Sequence, residues 1–166
     1  SLNKLLHYNL GKQGQETSIQ QEIDALKEYL TLQQIRYDFQ FSVAIEADAL
    51  VRNVKIPRFI LQPLVENALY HGLGDDGVIE VQVKREETDV VIRVSDNGAG
   101  LTEEQIKTLM NRERNENEKM GLGIGIHYVI RALESRYESR AGLNIESRSN
   151  AGTTILLRLP LEEEAS

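Results

Sequence analysis

Residues 78–84, VIEVQVK, and 89–95, DVVIRVS, alternate apolar with polar side chains and are separated only by the polar link REET. Alternation puts one set of side chains on each face of an extended strand, and so short a link joins neighbouring strands. The pair therefore predicts an antiparallel hairpin with an apolar face that something else must cover. Helices are available to cover it. Ile19, Ile23, Leu26, Leu30 and Tyr37 recur at spacings of four, three, four and seven, skipping Gln33, which is a helix over 18–37 with a bundle-like seam. Ser18 and Gln21 form a candidate capping box at its start. The seam packs either on this domain or on another helix of a bundle. Before it, LGKQGQETS reads as a loop after a short apolar segment, Leu2 to Leu10, the end of another helix.

Further along, FSVAIE (41–46) alternates as a strand. IPRFILQPLVENALYHG (56–72) returns to helical spacing, with Pro57 suited to a first turn, Gly72 to a stop, and Pro63 placed to kink or restart the helix. A capped helix from Thr102, the polar stretch NRERNENEK (111–119), a helix after Gly125 and closing strands near LNIESR and TILLRLP complete the chain. Strands grouped in antiparallel pairs, with helices between the groups, predict an α+β two-layer sandwich rather than a doubly wound sheet. At 166 residues the length suits one domain with a small appendage.

Composition narrows the ligand classes. A net charge of -7 argues against a broad nucleic-acid surface, which needs clustered Lys and Arg, so any phosphate must be held locally. No run of 18 apolar residues and no signal peptide is present, so no membrane contact by this segment is expected. With no cysteine there is neither a disulfide framework nor a thiolate metal site, and a cytoplasmic setting fits best.

The second hairpin strand ends in DNGAG (96–100), an acid, an amide and two glycines. Alone, this is a tight turn. GLGIG (121–125) has three alternating glycines just before a helical pattern, which lets backbone N–H groups approach phosphate oxygens at a helix start. It is not a P-loop, since no Gly-Lys-Ser/Thr follows. Taken in order, LVENALYHG, DNGAG, GLGIG and AGTTILLRLP are far more specific: they resemble the N box and the two glycine boxes of the ATP-binding (Bergerat) fold shared by DNA gyrase, heat-shock chaperones, mismatch-repair ATPases and histidine kinases. LKEYLTLQQIRY and IPRFILQPLVENALYHG are similar to sensor histidine kinases of the LytS/YesM type, and the resemblance runs from Leu5 to Leu159.

The resemblance implies ATP and Mg2+ as ligands. Asp96 matches the acid that accepts a bond from the adenine exocyclic amine, with Gly98 and Gly100 leaving room for the ring. Asn67 matches the N-box residue whose side-chain oxygen holds magnesium, with Glu66 in a supporting role. Thr153 or Thr154 matches a threonine that supports Asp96 and an ordered water. Gly121, Gly123 and Gly125 are the phosphate-side glycines, and His71 either bonds a carbonyl or lines the phosphate pocket. Residues 111–119 fall where the family has its lid, with Arg112, Arg114 and Lys119 as the cations that reach for polyphosphate.

Departures from the family pattern matter too. Tyr70 stands where many histidine kinases carry a lysine, and His127 and Tyr128 replace an Arg-Asn pair, which puts in doubt any phosphate contact there. Pro63 stands four residues before Asn67, where hydrolytic relatives place a water-activating glutamate, so ATP should be held for transfer rather than rapidly hydrolysed. None of His7, His71 and His127 lies in the Asn-Pro-His-Phe setting of the family's phosphoacceptor, and His127 is expected to be exposed. The expected division is 1–37 as the end of a helical dimerisation region lacking the acceptor and 38–166 as the catalytic domain, the cytoplasmic part of a membrane-anchored sensor. Implied partners are the phosphoacceptor helix of a homodimeric kinase and a response regulator. A serine kinase of the anti-sigma type and a non-catalytic ATP-gated switch are the alternative readings.

Overall fold

The computed structural model of the chain describes residues 15–36, 41–70, 73, 76–110, 124–148 and 150–161. In chain order the elements are β1 (Glu16–Ser18), α1 (Ile19–Arg36), β2 (Phe41–Ala47), β3 (Lys55–Pro57), α2 (Leu61–Tyr70), β4 (Gly77–Glu86), β5 (Asp89–Asp96), α3 (Glu103–Met110), α4 (Ile124–Tyr137), β6 (Gly142–Ser147) and β7 (Thr153–Pro160). A five-stranded sheet runs β2-β4-β5-β7-β6, and β1 pairs with β3 in a separate two-stranded ribbon.

The predicted hairpin is β4–β5, with Val81 opposite Val94 and Val83 opposite Ile92. Alternation divides the two faces of the sheet as expected. Ile79, Val81 and Val83, then Val90, Ile92 and Val94, then Ile155, Leu157 and Leu159 are buried, while Glu80, Lys84, Arg93 and Arg158 meet solvent. Leu64, Val65, Val129 and Leu133 belong to the same core, and burying one such aliphatic side chain stabilises the fold by roughly 1.5–3 kcal/mol. The α+β sandwich is therefore as predicted, but its strands are not all antiparallel. β2 and β4 pair parallel, Val43 opposite Ile79. Parallel neighbours cannot be joined by a tight turn, and residues 48–76 provide the crossover that carries α2.

The seam of α1 packs on this domain. Ile19, Ile23, Leu26 and Leu30 are all in the one core, so packing continues across residue 37, where the sequence placed a domain edge. The capping box at its start forms: the Gln21 N–H donates to Ser18 Oγ at 3.1 Å, and the Ser18 N–H donates to Gln21 Oε1 at 3.0 Å. Thr102 and Gln105 make the same reciprocal pair at the start of α3.

The single helix expected over 56–72 is shorter. Lys55–Pro57 is strand β3, so Pro57 sits in the ribbon rather than in a helical first turn, and the helix starts only at Leu61. Pro63 is its third residue, where the missing N–H would have had no helical partner, so it neither kinks nor restarts anything. Between ribbon and helix, Phe59 has φ 63, a left-handed conformation that costs a bulky residue roughly 1–2 kcal/mol. A distant side chain takes up the backbone donors it turns inward. Glu22 of α1 accepts the N–H of Phe59 at 3.2 Å, of Ile60 at 2.7 Å and of Leu61 at 3.4 Å. The Tyr128 hydroxyl donates to the Arg58 carbonyl at 2.9 Å, and its ring meets Phe59 edge-on at 5.8 Å. Segment 58–61 is thus held from both α1 and α4.

Candidate nucleotide site

Asp96 ends β5 on the helix-covered face, with Ile79 and Thr153 as its cross-strand partners. Its Oδ1 accepts the N–H of Gly98 at 2.8 Å, an Asx-type turn that closes the DNGAG loop. Neighbouring Asn97 ties this loop to the segment after α2. Its Oδ1 accepts the Val78 N–H at 2.8 Å and its Nδ2 donates to the Asp76 carbonyl at 3.0 Å. The asparagine of the motif is therefore the brace between the N-box side and the first glycine box. Sequence reasoning had passed over it, although its place in the turn was a legible signal.

The two candidate threonines separate. Thr153 is 3% exposed and lies on Asp96's face of the sheet. Thr154 points to the other face, where its hydroxyl donates to Ser95 Oγ at 3.2 Å. Thr153 is also wired to a residue that no motif announced. Ser147 Oγ lies 2.8 Å from Thr153 Oγ1, donates to the Gly152 carbonyl at 2.9 Å and accepts the Leu101 N–H at 2.6 Å. With the serine proton committed to Gly152, Thr153 is the donor of the pair, which leaves its oxygen as an acceptor for water or ligand.

The glycines have more specific duties than general openness. Gly100 has φ +78, and a Cβ there would run into the Arg148 carbonyl. Gly152 has φ +84, and its Cβ would run into the Asp96 carbonyl. The DNGAG loop and the β6–β7 turn are packed backbone on backbone, and the Asn150 N–H donates to the Ala99 carbonyl at 2.6 Å. Gly100 thus makes room for the neighbouring turn, a duty separate from the adenine-side role expected of it. Gly125 lies in α4, and its Cβ would stand 2.9 Å from Pro63 Cβ. It lets α4 close on the first turn of α2, a packing duty beside the phosphate-side role expected of it.

Asn67 lies in α2 and is 5% exposed, with its Oδ1 buried and without a hydrogen-bond partner among the described residues. A buried amide oxygen left this way costs roughly 1–3 kcal/mol, so the position is held ready for a donor or a cation. No group of three or more His, Asp or Glu among the described residues forms a cage for a metal. A single neutral oxygen suits magnesium, which keeps several waters and draws its other ligands from phosphates. Glu66 faces α1 instead. It accepts from Gln62 Nε2 at 3.2 Å and lies beside the Tyr29 hydroxyl, and burial pushes its carboxyl above the ordinary range against those two neighbours. Pro63, where a general base would stand, is buried beneath Gly125. His127 is partly buried on α4 rather than exposed, and Tyr128 is engaged with Arg58 and Phe59. His7, His71, Gly121, Gly123, Arg112, Arg114 and Lys119 lie outside the described residues.

A mixed sheet covered on one face by helices, with an acid at the end of its central hairpin and an asparagine whose amide oxygen has no partner among the described residues on the adjoining helix, is the arrangement expected of an ATP-binding catalytic domain. The family described as histidine kinase-, DNA gyrase B-, and HSP90-like ATPase matches residues 53–163, and the chain belongs to it. Residues 1–41 match the histidine kinase family. The chain is 30% identical to sensor protein LytS of Enterococcus faecalis over 98% of its own length and 28% of that protein's. It is 27% identical to sensor protein kinase HptS of Staphylococcus aureus over 96% of its length and 31% of that protein's. It therefore spans about a third or less of these relatives. Among solved structures, the nucleotide-free catalytic domain of histidine kinase ThkA superposes with a TM-score of 0.64 at 20% identity, covering 90% of this chain and 98% of that one. The mycobacterial sensor histidine kinase MprB gives 0.66 at 14%, covering 88% and 96%. No helix among the described residues is long and apolar enough to cross a membrane.

Proposed function

We propose that this domain binds Mg-ATP and delivers the γ-phosphoryl group to a histidine on a helical phosphoacceptor domain of a homodimeric sensor kinase, from which it passes to an aspartate of a response regulator. The observation that carries the reading is the buried, unpartnered Oδ1 of Asn67, on a helix packed against the strand that ends in Asp96. Asp96 accepts from the adenine amine, and Thr153 presents its oxygen beside it to an ordered water. Gly98 closes the turn that aims the acid. Asn67 would hold magnesium, which supplies charge neutralisation across the phosphates. His71, Gly121 and Gly123 are assigned to the phosphate side from their motif positions. The intact sensor is proposed to be membrane-anchored, with this domain in the cytoplasm.

Catalysis by such a site is mostly positioning and charge neutralisation. Pro63 has no titratable group, so nothing at that position draws a proton from water and the nucleotide survives until an acceptor arrives. Incubation with γ-labelled ATP should leave this chain unlabelled, with very slow phosphate release, until a helical domain carrying an acceptor histidine is added and acid-labile label forms on it. Rapid phosphate release by the chain alone, or no transfer to any such acceptor despite ATP binding, would overturn the reading.

A further inference from the structure

The entry to α2 is built from contacts that local sequence does not explain. Ile60 occupies the capping position, and an aliphatic side chain offers nothing to the free N–H groups of a first helical turn. Glu22, 38 residues earlier, supplies both carboxylate oxygens instead: Oε1 to Ile60 and Leu61, Oε2 to Phe59. A second polar approach lies farther along the same pair of helices, where the Tyr29 hydroxyl stands beside the carboxyl of Glu66, the residue before Asn67, and favours its charged form.

The spacings match. Glu22 and Tyr29 are seven residues apart, two turns on one face of α1, which is about 10 Å of rise, and Ile60 to Glu66 spans about 9 Å along α2. The two helices therefore run side by side in the same direction, joined at both ends of the stretch that leads to Asn67. Between these two contacts the interface is apolar, with Ile23 and Leu26 of α1 and Leu61, Leu64 and Val65 of α2 in the shared core. Apolar seams tolerate sliding, whereas directional polar contacts at fixed separation specify one register. The left-handed Phe59 points the same way, since such a backbone persists only where its surroundings over-determine it.

We propose that Glu22 and Tyr29 are positioning residues for nucleotide binding: together they fix the register of α2 against α1, and through it the placement of the Asn67 side chain. α1 is then a strut that sets affinity for Mg-ATP without touching the adenine pocket. This inference rests on the metal-holding role proposed above for Asn67.

The test compares ATP affinities with and without magnesium by calorimetry, well below each variant's melting temperature, for Tyr29→Phe, Glu22→Ala, Glu22→Gln and Asn67→Ala. Tyr29→Phe removes one hydroxyl and keeps the ring, so the fold survives it. Its Mg-ATP affinity should fall about two- to tenfold with metal-free ATP little changed. Glu22→Ala should fall further, and amide hydrogen exchange at Phe59, Ile60 and Leu61 should quicken. Glu22→Gln keeps an oxygen for Ile60 and Leu61 but not for Phe59, so it should lie between Glu22→Ala and the unsubstituted chain. A merely structural role would lower melting temperatures while leaving the ratio of the two affinities unchanged. If Asn67→Ala alters that ratio and neither Tyr29→Phe nor Glu22→Ala does, the strut is refuted and the metal role stands. If Asn67→Ala itself leaves the ratio unchanged, the metal role fails and takes the inference with it.

Discussion

Replacing Asp96 by Asn tests adenine recognition with almost no change of shape. The amide keeps one oxygen, and in the structure one carboxylate oxygen is already committed to the Gly98 N–H at 2.8 Å. The substitution therefore forces a choice. If the Asn oxygen stays on Gly98, the turn survives and an NH2 group faces the adenine amine, donor against donor. If the amide rotates to serve the adenine, Gly98 loses its acceptor. Either way one bond is lost, and the bond proposed from Asp96 to the adenine amine is charge-assisted, worth roughly 1.5–3 kcal/mol. ATP affinity should accordingly fall about ten- to a hundredfold. The pairing of Asp96 with Ile79 and Thr153 is through backbone, so the variant should melt close to the unsubstituted chain. Calorimetry with ATP and with inosine triphosphate, whose C6 carbonyl accepts where adenine donates, makes the assay specific. The unsubstituted chain should prefer ATP, and the Asn variant should lose or reverse that preference. A folded variant that binds ATP as tightly as before and keeps the same preference would show that Asp96 does not read the base.

Gly152→Ala should destabilise the domain by more than 2 kcal/mol, about the left-handed backbone penalty plus a collision with the Asp96 carbonyl that neither backbone can relieve, as read by denaturant titration. Gly125→Ala sets a helix-propensity gain of about 1 kcal/mol against overpacking of about 1–3 kcal/mol on Pro63; net destabilisation is expected, and a raised melting temperature would show that α4 can retreat from α2. Ser147→Ala should loosen both the Leu101 N–H and Thr153, so that faster amide exchange at Leu101 accompanies weaker ATP binding, while unchanged exchange would remove its bracing role. For Glu66 the pH dependence has a definite sign. Burial raises its folded carboxyl above the ordinary value near 4.5, so the folded state holds its proton longer than the unfolded state. Stability should therefore fall as pH rises from 4.5 to the folded value and stay level above it. Glu66→Gln should abolish that portion of the slope, and parallel stability–pH curves for the two proteins would refute it.

The sequence by itself determined what depends on neighbours along the chain. Alternation in 78–84 and 89–95 is enough to specify the β4–β5 hairpin and its buried face, because strand periodicity is local. The capping box of Ser18 with Gln21 and the capped start at Thr102 were legible for the same reason. So was the DNGAG turn, whose Asp96 and Gly98 are two residues apart. Tertiary structure decided what depends on partners distant in the chain. The parallel pairing of β2 with β4 follows from the crossover through α2, and no residue of FSVAIE announces it. Which threonine accompanies Asp96 was settled by register, since Thr153 and Thr154 are equivalent as types and opposite as faces. That Gly125 packs against Pro63 is likewise tertiary, since the two are far apart in the chain. The start of α2 is the clearest case. Helical spacing extends back to Ile56, but strand pairing claims Lys55–Pro57, and where the helix begins at Leu61 its free N–H groups are taken up by Glu22, from another helix.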